Sequence, residues 1–295
     1  MPERDGYIPG VPCWVDTSQP DPRAALGFYG GLFGWEFENA MPADSPGDYF
    51  IARLGGGTVA AVGSIPEGLP ATAMWNSYVW VESADETASK ARAAGGGVQM
   101  EPFDVMDAGR MAVLTDREGA AFCVWQAGKH HGARIVNEPG SLTFNGLHTR
   151  DLEGAKSFYG SVFGWTTLVL DGAEMWTLPG YGDYLERDNP GLREQIAAIG
   201  GPAGFEDVVA SINPIPDDQP DTQPHWSVTF SAADVDLTAA KAAELGGKVI
   251  APPFDVPWSR LTIISDPQGA TFIASMFAPQ NKDLGSQTDV GAGAA

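Results

Sequence analysis

Apolar positions recur along this chain in two rhythms, one helical and one strand-like. Ala24, Ala25, Phe28, Tyr29 and Phe33 fall at helical spacing behind a capping Asp21 and a first-turn Pro22, and Gly34 closes the segment. An apolar run at 11–16 precedes that helix, and strand-length runs follow it at 49–54, 59–64 and 77–81. A second helix is expected over 85–94, stopped by Gly95-Gly96-Gly97, before strands at 98–100, 110–116 and 121–126. The same order then returns: strand 142–148, helix 152–163, and strands 166–170, 175–178, 208–212 and 225–231. A helix over 234–245, ended by Gly246-Gly247, and strands at 249–251, 261–266 and 271–276 complete it.

The repetition extends to residue identities. Phe28-Tyr29-Gly30 and Phe33-Gly34-Trp35 return as Phe158-Tyr159-Gly160 and Phe163-Gly164-Trp165, an offset of 130 (Phe33 to Phe163). Pro102-Phe103-Asp104-Val105, Arg110, Asp116 and Gly119-Ala120 return as Pro253-Phe254-Asp255-Val256, Arg260, Asp266 and Gly269-Ala270, an offset of 150 (Asp116 to Asp266). A unit this long buries its own core, so the chain is read as a duplicated domain, one copy over 9–129 and the other over 141–279. Residues 128–140 are the polar, Gly-rich link. The second copy carries about 20 extra residues near 180–206, read either as a lid or wall of a binding site or as an inert surface insertion. The tail over 280–295 is expected to be disordered.

Composition narrows the function. A net charge of −21 leaves no basic surface for phosphate, which excludes nucleic acid as partner and favours a neutral or cationic small molecule. No apolar run approaches the roughly 20 residues a membrane span needs. The first residues lack the apolar core of a secretory signal, so a cytoplasmic protein is expected. Cys13 and Cys123 are the only cysteines, too few for a disulfide framework.

The repeated Phe-Tyr/Phe-Gly-Trp segments, with Arg110…Asp116-Arg117-Glu118-Gly119 and Arg260…Asp266-Pro267-Gln268-Gly269, resemble the vicinal oxygen chelate superfamily of glyoxalase I, bleomycin-resistance proteins, fosfomycin-resistance transferases and extradiol dioxygenases. The resemblance covers about residues 9–279 and is nearest to tandem two-domain, glyoxalase-like members. It implies an α+β fold of paired βαβββ modules, each pair forming a curled sheet around a cavity. It also implies three metal-ligand positions per domain. Counted from the helix Phe and the Asp-x-x-Gly motif, these fall on Trp14, Asn76 and Cys123 in the first half, and on Phe144, His225 and Ile273 in the second. A catalytic divalent metal needs about three good protein ligands, and each set is too poor, so no metal cofactor is expected.

Strand parity then gives candidate cup linings. In the first half these are Trp14, Asp16, Asn76, Tyr78, Trp80, Cys123 and Trp125, an aromatic wall with polar tips suited to stacking a flat ligand. In the second they are Phe144, Gly146, His148, His225, Ser227, Thr229, Ile273 and Ser275. His148 and His225 are the candidate acid and base. Arg260, placed to clamp a carboxylate or to brace a loop, and the unduplicated Trp258 and Tyr181 complete the candidate ligand-binding set. The expected function is metal-independent binding of a medium-sized aromatic or apolar molecule, an antibiotic or secondary-metabolite intermediate, for sequestration or tailoring. The alternatives are a lyase or isomerase working through His148 and His225, a metal enzyme whose ligands lie elsewhere, or a protein with vestigial cavities. A homodimer and a pseudo-dimer within one chain both remain open.

Overall fold

The computed structural model describes residues 4–65, 68, 71–170 and 172–287, and places them in two eight-stranded mixed sheets of identical topology. The first half contains β1 (Pro12–Gln19), α1 (Pro22–Phe33), β2 (Glu36–Asn39), β3 (Tyr49–Leu54) and β4 (Gly57–Ser64). Its second module is β5 (Met74–Trp80), α2 (Ala84–Ala93), β6 (Gly97–Val105), β7 (Gly109–Thr115) and β8 (Ala121–Ala127). The second half opens with β9 (Leu142–Thr149), α3 (Leu152–Phe163), β10 (Thr166–Leu170) and β11 (Ala173–Thr177). The insertion follows as α4 (Tyr181–Asp188), α5 (Leu192–Ala198) and a 3-10 turn, Phe205–Asp207. The half closes with β12 (Val208–Pro214), β13 (His225–Ser231), α6 (Val235–Glu244), β14 (Lys248–Val256), β15 (Ser259–Ser265) and β16 (Thr271–Phe277).

The strand orders are β2-β3-β4-β1-β5-β8-β7-β6 and β10-β11-β12-β9-β13-β16-β15-β14, with the two modules of each half joined by the antiparallel pairs β1–β5 and β9–β13. The helix signals read from sequence act as expected. Asp21 and Asp151 accept hydrogen bonds from Ala24 N and Gly154 N at the starts of α1 and α3, while Gly34 and Gly164 end them with φ of 73° and 74°. Three elements depart from the sequence reading. The short strand β2 reads Glu-Phe-Glu-Asn and lies largely exposed, so it carries no apolar pattern to find. The insertion contributes two helices. Residues 280–287 of the tail expected to be disordered lie in a 3-10 helix, Pro279–Gln287, against β14 and β15, and residues 288–295 lie outside the described residues.

One face of each curled sheet is covered by helices and by the other half of the chain. Across this seam Ser77 Oγ donates to Asn145 Oδ1 at 2.6 Å. Tyr29 OH donates to Asp266 Oδ2 at 2.8 Å, and Tyr159 OH donates to Asp116 Oδ2 at 3.1 Å. Trp35 Nε1 donates to Gly140 O, and Trp165 Nε1 to Gly10 O, at 2.7 and 2.8 Å. The repeated aromatic and Asp-x-x-Gly residues are thus the seam itself. With both helix-covered faces turned inward, the concave faces point away from each other. No helix among the described residues is long and apolar enough to cross a membrane.

Candidate functional site

In the first half, parity places the expected residues on one concave face: Trp14 pairs with Tyr78, Asp16 with Asn76, Tyr78 with Cys123 and Trp80 with Trp125. Asp16 is 5% exposed, yet its carboxyl is fully engaged. Oδ2 accepts from Tyr78 OH at 2.7 Å and Tyr49 OH at 2.9 Å, and Oδ1 accepts from Asn76 Nδ2 at 2.8 Å. Burial outweighs these three hydrogen bonds, each of which favours the charged form, and pushes the carboxyl up from its ordinary value. Trp14 Nε1 donates to Tyr49 OH at 3.1 Å.

This cup is filled by its own side chains. The segment after β8 turns back and sets the His130 ring edge-on to Trp14, centroids 4.4 Å apart, and 5.6 Å from Trp125, whose Nε1 donates to His130 O at 2.9 Å. Trp14 and Trp125 are left only 2% and 5% exposed. The expected ligand-stacking wall is therefore core, and Trp80 alone stands at the rim, its ring 6.1 Å from Tyr7. Tyr49 and His130, which do the filling, carry no sequence signal for it: one comes from a neighbouring hairpin, the other from a loop.

The second cup differs. Strand register sets out three cross-sheet rows: Leu168, Met175, Ser211, Gly146 and Ser227; Asn213, His148 and His225; and Phe144, Thr229, Ile273 and Ile263. Phe144, His148, Ser211, Asn213, Ser227, Ile273 and Ser275 are all half-buried and His225 is exposed, so this face is reached by solvent. The imidazoles of His148 and His225 stack 4.4 Å apart with planes 3° from parallel. His225 Nδ1 lies 2.8 Å from Gln223 O, and since a carbonyl only accepts, that nitrogen carries the proton. Ser227 Oγ donates to Gly146 O at 3.3 Å and lies 3.1 Å from His148 Nε2, so Nε2 is the donor there. His148 Nδ1 and His225 Nε2 are left as acceptors. Burial, and then the neighbouring His225, hold the His148 pKa down at about 4, leaving it neutral at pH 7.

The register also corrects the metal positions. Gly146 pairs with Ser227 as Asp16 pairs with Asn76, and His148 pairs with His225 as Ser18 pairs with Met74. The position matching Asn76 is therefore Ser227, not His225, so the histidine pair lies off the implied ligand set. Phe144, Ser227 and Ile273 do not fit a divalent metal, nor do Trp14, Cys123 and an Asn76 already committed to Asp16 and Ser18. Among the described residues no group of three His, Cys, Asp or Glu side chains is placed to hold one.

Of the remaining candidates, Trp258 takes φ of 65° at the β14–β15 turn and stacks on Phe277, 6.3 Å away, at the rim of the second cup. Arg260 does not reach the cup. It lies on the opposite strand face from Ser259 and Leu261, where Nε binds Asp236 and Nη1 binds Asp255 at 2.8 and 3.0 Å, just as Arg110 binds Asp85 and Asp104. It is a duplicated brace. Tyr181 is buried on α4 and accepts from Arg4 Nη1 at 2.8 Å, so it anchors the insertion to the amino-terminal segment. Ser211 and Asn213, unflagged in the sequence, join the second cup through β12. A surface cleft of about 490 Å³ between Leu32, Pro139 and Leu237 lies at the seam and carries no side chain of either cup.

Comparison with known families matches residues 14–125 to a glyoxalase-like domain and 142–273 to the glyoxalase/bleomycin resistance protein/dioxygenase superfamily. CFP32 of Mycobacterium tuberculosis, a glyoxylase by name, is 38% identical over 283 residues, covering 95% of this chain and 100% of its own. The anthracycline biosynthesis protein DnrV of Streptomyces peucetius is 34% identical, covering 90% and 93%. Among solved structures, the Mn(II)-bound glyoxalase of Novosphingobium aromaticivorans superposes with a TM-score of 0.56 at 14% identity, over 91% of this chain and 83% of that one. The 2,3-dioxygenase LapB of Pseudomonas sp. KL28 gives 0.56 at 11%, over 92% and 93%. At such identities these two structures speak to the fold alone.

Proposed function

Because the chain belongs to the glyoxalase/bleomycin resistance protein/dioxygenase superfamily, we propose that it binds one medium-sized, largely apolar organic molecule in its second cup without a metal. The observation that carries this reading is the asymmetry between the halves: one concave face is sealed by Tyr49 and His130, while its twin offers half-exposed apolar walls and a polar floor. Phe144, Ile273 and Ile263 supply contact area, and Ser211, Asn213, Ser227 and the histidine pair fix orientation. The name of the Streptomyces relative supports an aromatic secondary-metabolite intermediate or antibiotic as ligand, sequestered or passed to a tailoring step. Both cysteines are free and buried, which supports a cytoplasmic site of action.

Titrating the tryptophan emission with planar aromatic compounds tests the reading, with metal content measured in parallel. Saturable quenching that survives chelator treatment, and is lost when Ile273→Trp fills the cup, is the expected result. Stoichiometric Zn, Ni, Mn or Fe whose removal abolishes binding would contradict it. A second reading, acid/base chemistry, is favoured by the two imidazole lone pairs left over at His148 Nδ1 and His225 Nε2. It predicts turnover that falls at least a hundredfold in His148→Gln, roughly the weight of one general base.

A further inference from the structure

The duplication supplies an internal template for what the second cup receives. In the first cup the Asp16 carboxyl lies on β1 between Ala61 of β4 and Asn76 of β5, and accepts from Asn76, Tyr78 and Tyr49. The same place in the second sheet, between Ser211 of β12 and Ser227 of β13, belongs to Gly146. A Cβ built on Gly146 would fall 2.7 Å from Asn213 Nδ2, 2.7 Å from Ser211 Oγ and 3.0 Å from Ser227 Oγ. Three polar groups thus converge above a residue that presents only backbone.

Two of their protons are unspent. Asn213 Nδ2 gives one N–H to Ser211 Oγ at 3.2 Å, and Ser227 Oγ gives its proton to Gly146 O. The second Asn213 N–H and the Ser211 O–H have no acceptor among the described residues. An amide proton beside a hydroxyl proton suits an incoming oxygen, and every group involved is neutral. In the matched cup, burial leaves the Asp16 carboxyl harder to ionise than usual even with three neutral donors on it, and a net charge of −21 further disfavours an anion.

Resting on the reading of the second cup as the binding site, we propose that the unspent protons of Ser211 and Asn213, above Gly146 and beside Ser227, form a socket for a neutral carbonyl oxygen, so that the ligand is a ketone or quinone. The ligand brings the oxygen that the first half builds in as Asp16, and its rings lie along Phe144 and Ile273.

The test compares 9-fluorenone with fluorene, planar probes that differ in the carbonyl, by calorimetric titration of the full chain. Fluorenone is expected to bind about tenfold more tightly, the worth of one to two neutral hydrogen bonds. Ser211→Ala and Asn213→Leu should bring that preference close to parity, and Gly146→Asp, which copies the first cup, should exclude fluorenone. The carbonyl stretch of bound fluorenone should fall below its value in hydrocarbon solvent and move back up in Ser211→Ala. Because that stretch is read on the wild-type chain, a misfolded variant does not block the decision. Equal affinities with an unshifted stretch, both probes still displaced by Ile273→Trp, would overturn the socket while leaving the cup as the binding site. Binding of neither probe, or binding that Ile273→Trp does not disturb, would overturn both.

Discussion

Asp16 and His130 define the first cup, and both titrate away from their ordinary ranges. Tyr78 OH is one of three donors to Asp16 among the described residues, so Tyr78→Phe should cost about 1–2 kcal/mol in urea unfolding; an unchanged midpoint would mean the network contributes nothing. Burial, and then the neighbouring His131, hold His130 down at about 4. An unfolded histidine titrates near 6.5, so as pH falls from about 6.5 towards 4 the unfolded chain takes up protons that the fold refuses. Stability is whole above about 6.5 and is lost across that window. His148 acts with the same sign, while Asp16, raised by burial, acts with the opposite sign by keeping a proton that the unfolded chain releases. Comparing His130→Asn with wild type isolates the effect: the variant should show a shallower fall in stability between those pH values. At this scale the cup linings were legible from period-two parity. The plug was not, because Tyr49 and His130 arrive through tertiary approach. The two-residue slip that put His225 in place of Ser227 preserved parity, so only the strand pairing could expose it.

The elements that distinguish the halves are the insertion and the 3-10 helix after β16. Where the first half turns tightly at Gly55-Gly56, the second inserts α4 and α5, and their roles divide. Tyr181 on α4 is 5% exposed and tied to Arg4, whereas no residue of α5 is buried. Tyr181→Ala should therefore cost roughly 2–4 kcal/mol, and Leu192→Ala no more than about 0.5 kcal/mol; a thermal-unfolding series in which the two are equal would contradict this division. The insertion was legible as extra length between matched anchors. Its helices were not, since Tyr-Gly-Asp-Tyr carries neither cap nor long apolar period and is held by contacts with residues far away in sequence. The exposed strand β2 escaped for a related reason: its order comes from pairing with β3, not from burial.

At the scale of the molecule, the halves are joined through the residues they repeat. Asp266 accepts from Gln19 Nε2 at 2.6 Å and Tyr29 OH at 2.8 Å, both of the other half, and from two backbone amides of its own turn. Asp266→Ala strands those buried donors and should cost about 3 kcal/mol or more, with the two halves expressed separately failing to give native near-ultraviolet circular dichroism until mixed. The duplication announced two similar domains in the sequence. That its most repetitive residues form the seam, leaving only the divergent second cup open, required the structure. The central claim is that this one cup holds the ligand, and a crystal structure of the chain grown with 9-fluorenone tests it most directly. One molecule in the second cup, its oxygen about 3 Å from Ser211 Oγ and His130 still seated in the first, is the predicted result; a molecule in the first cup with His130 displaced, or a metal held there or opposite by three side chains, would contradict it.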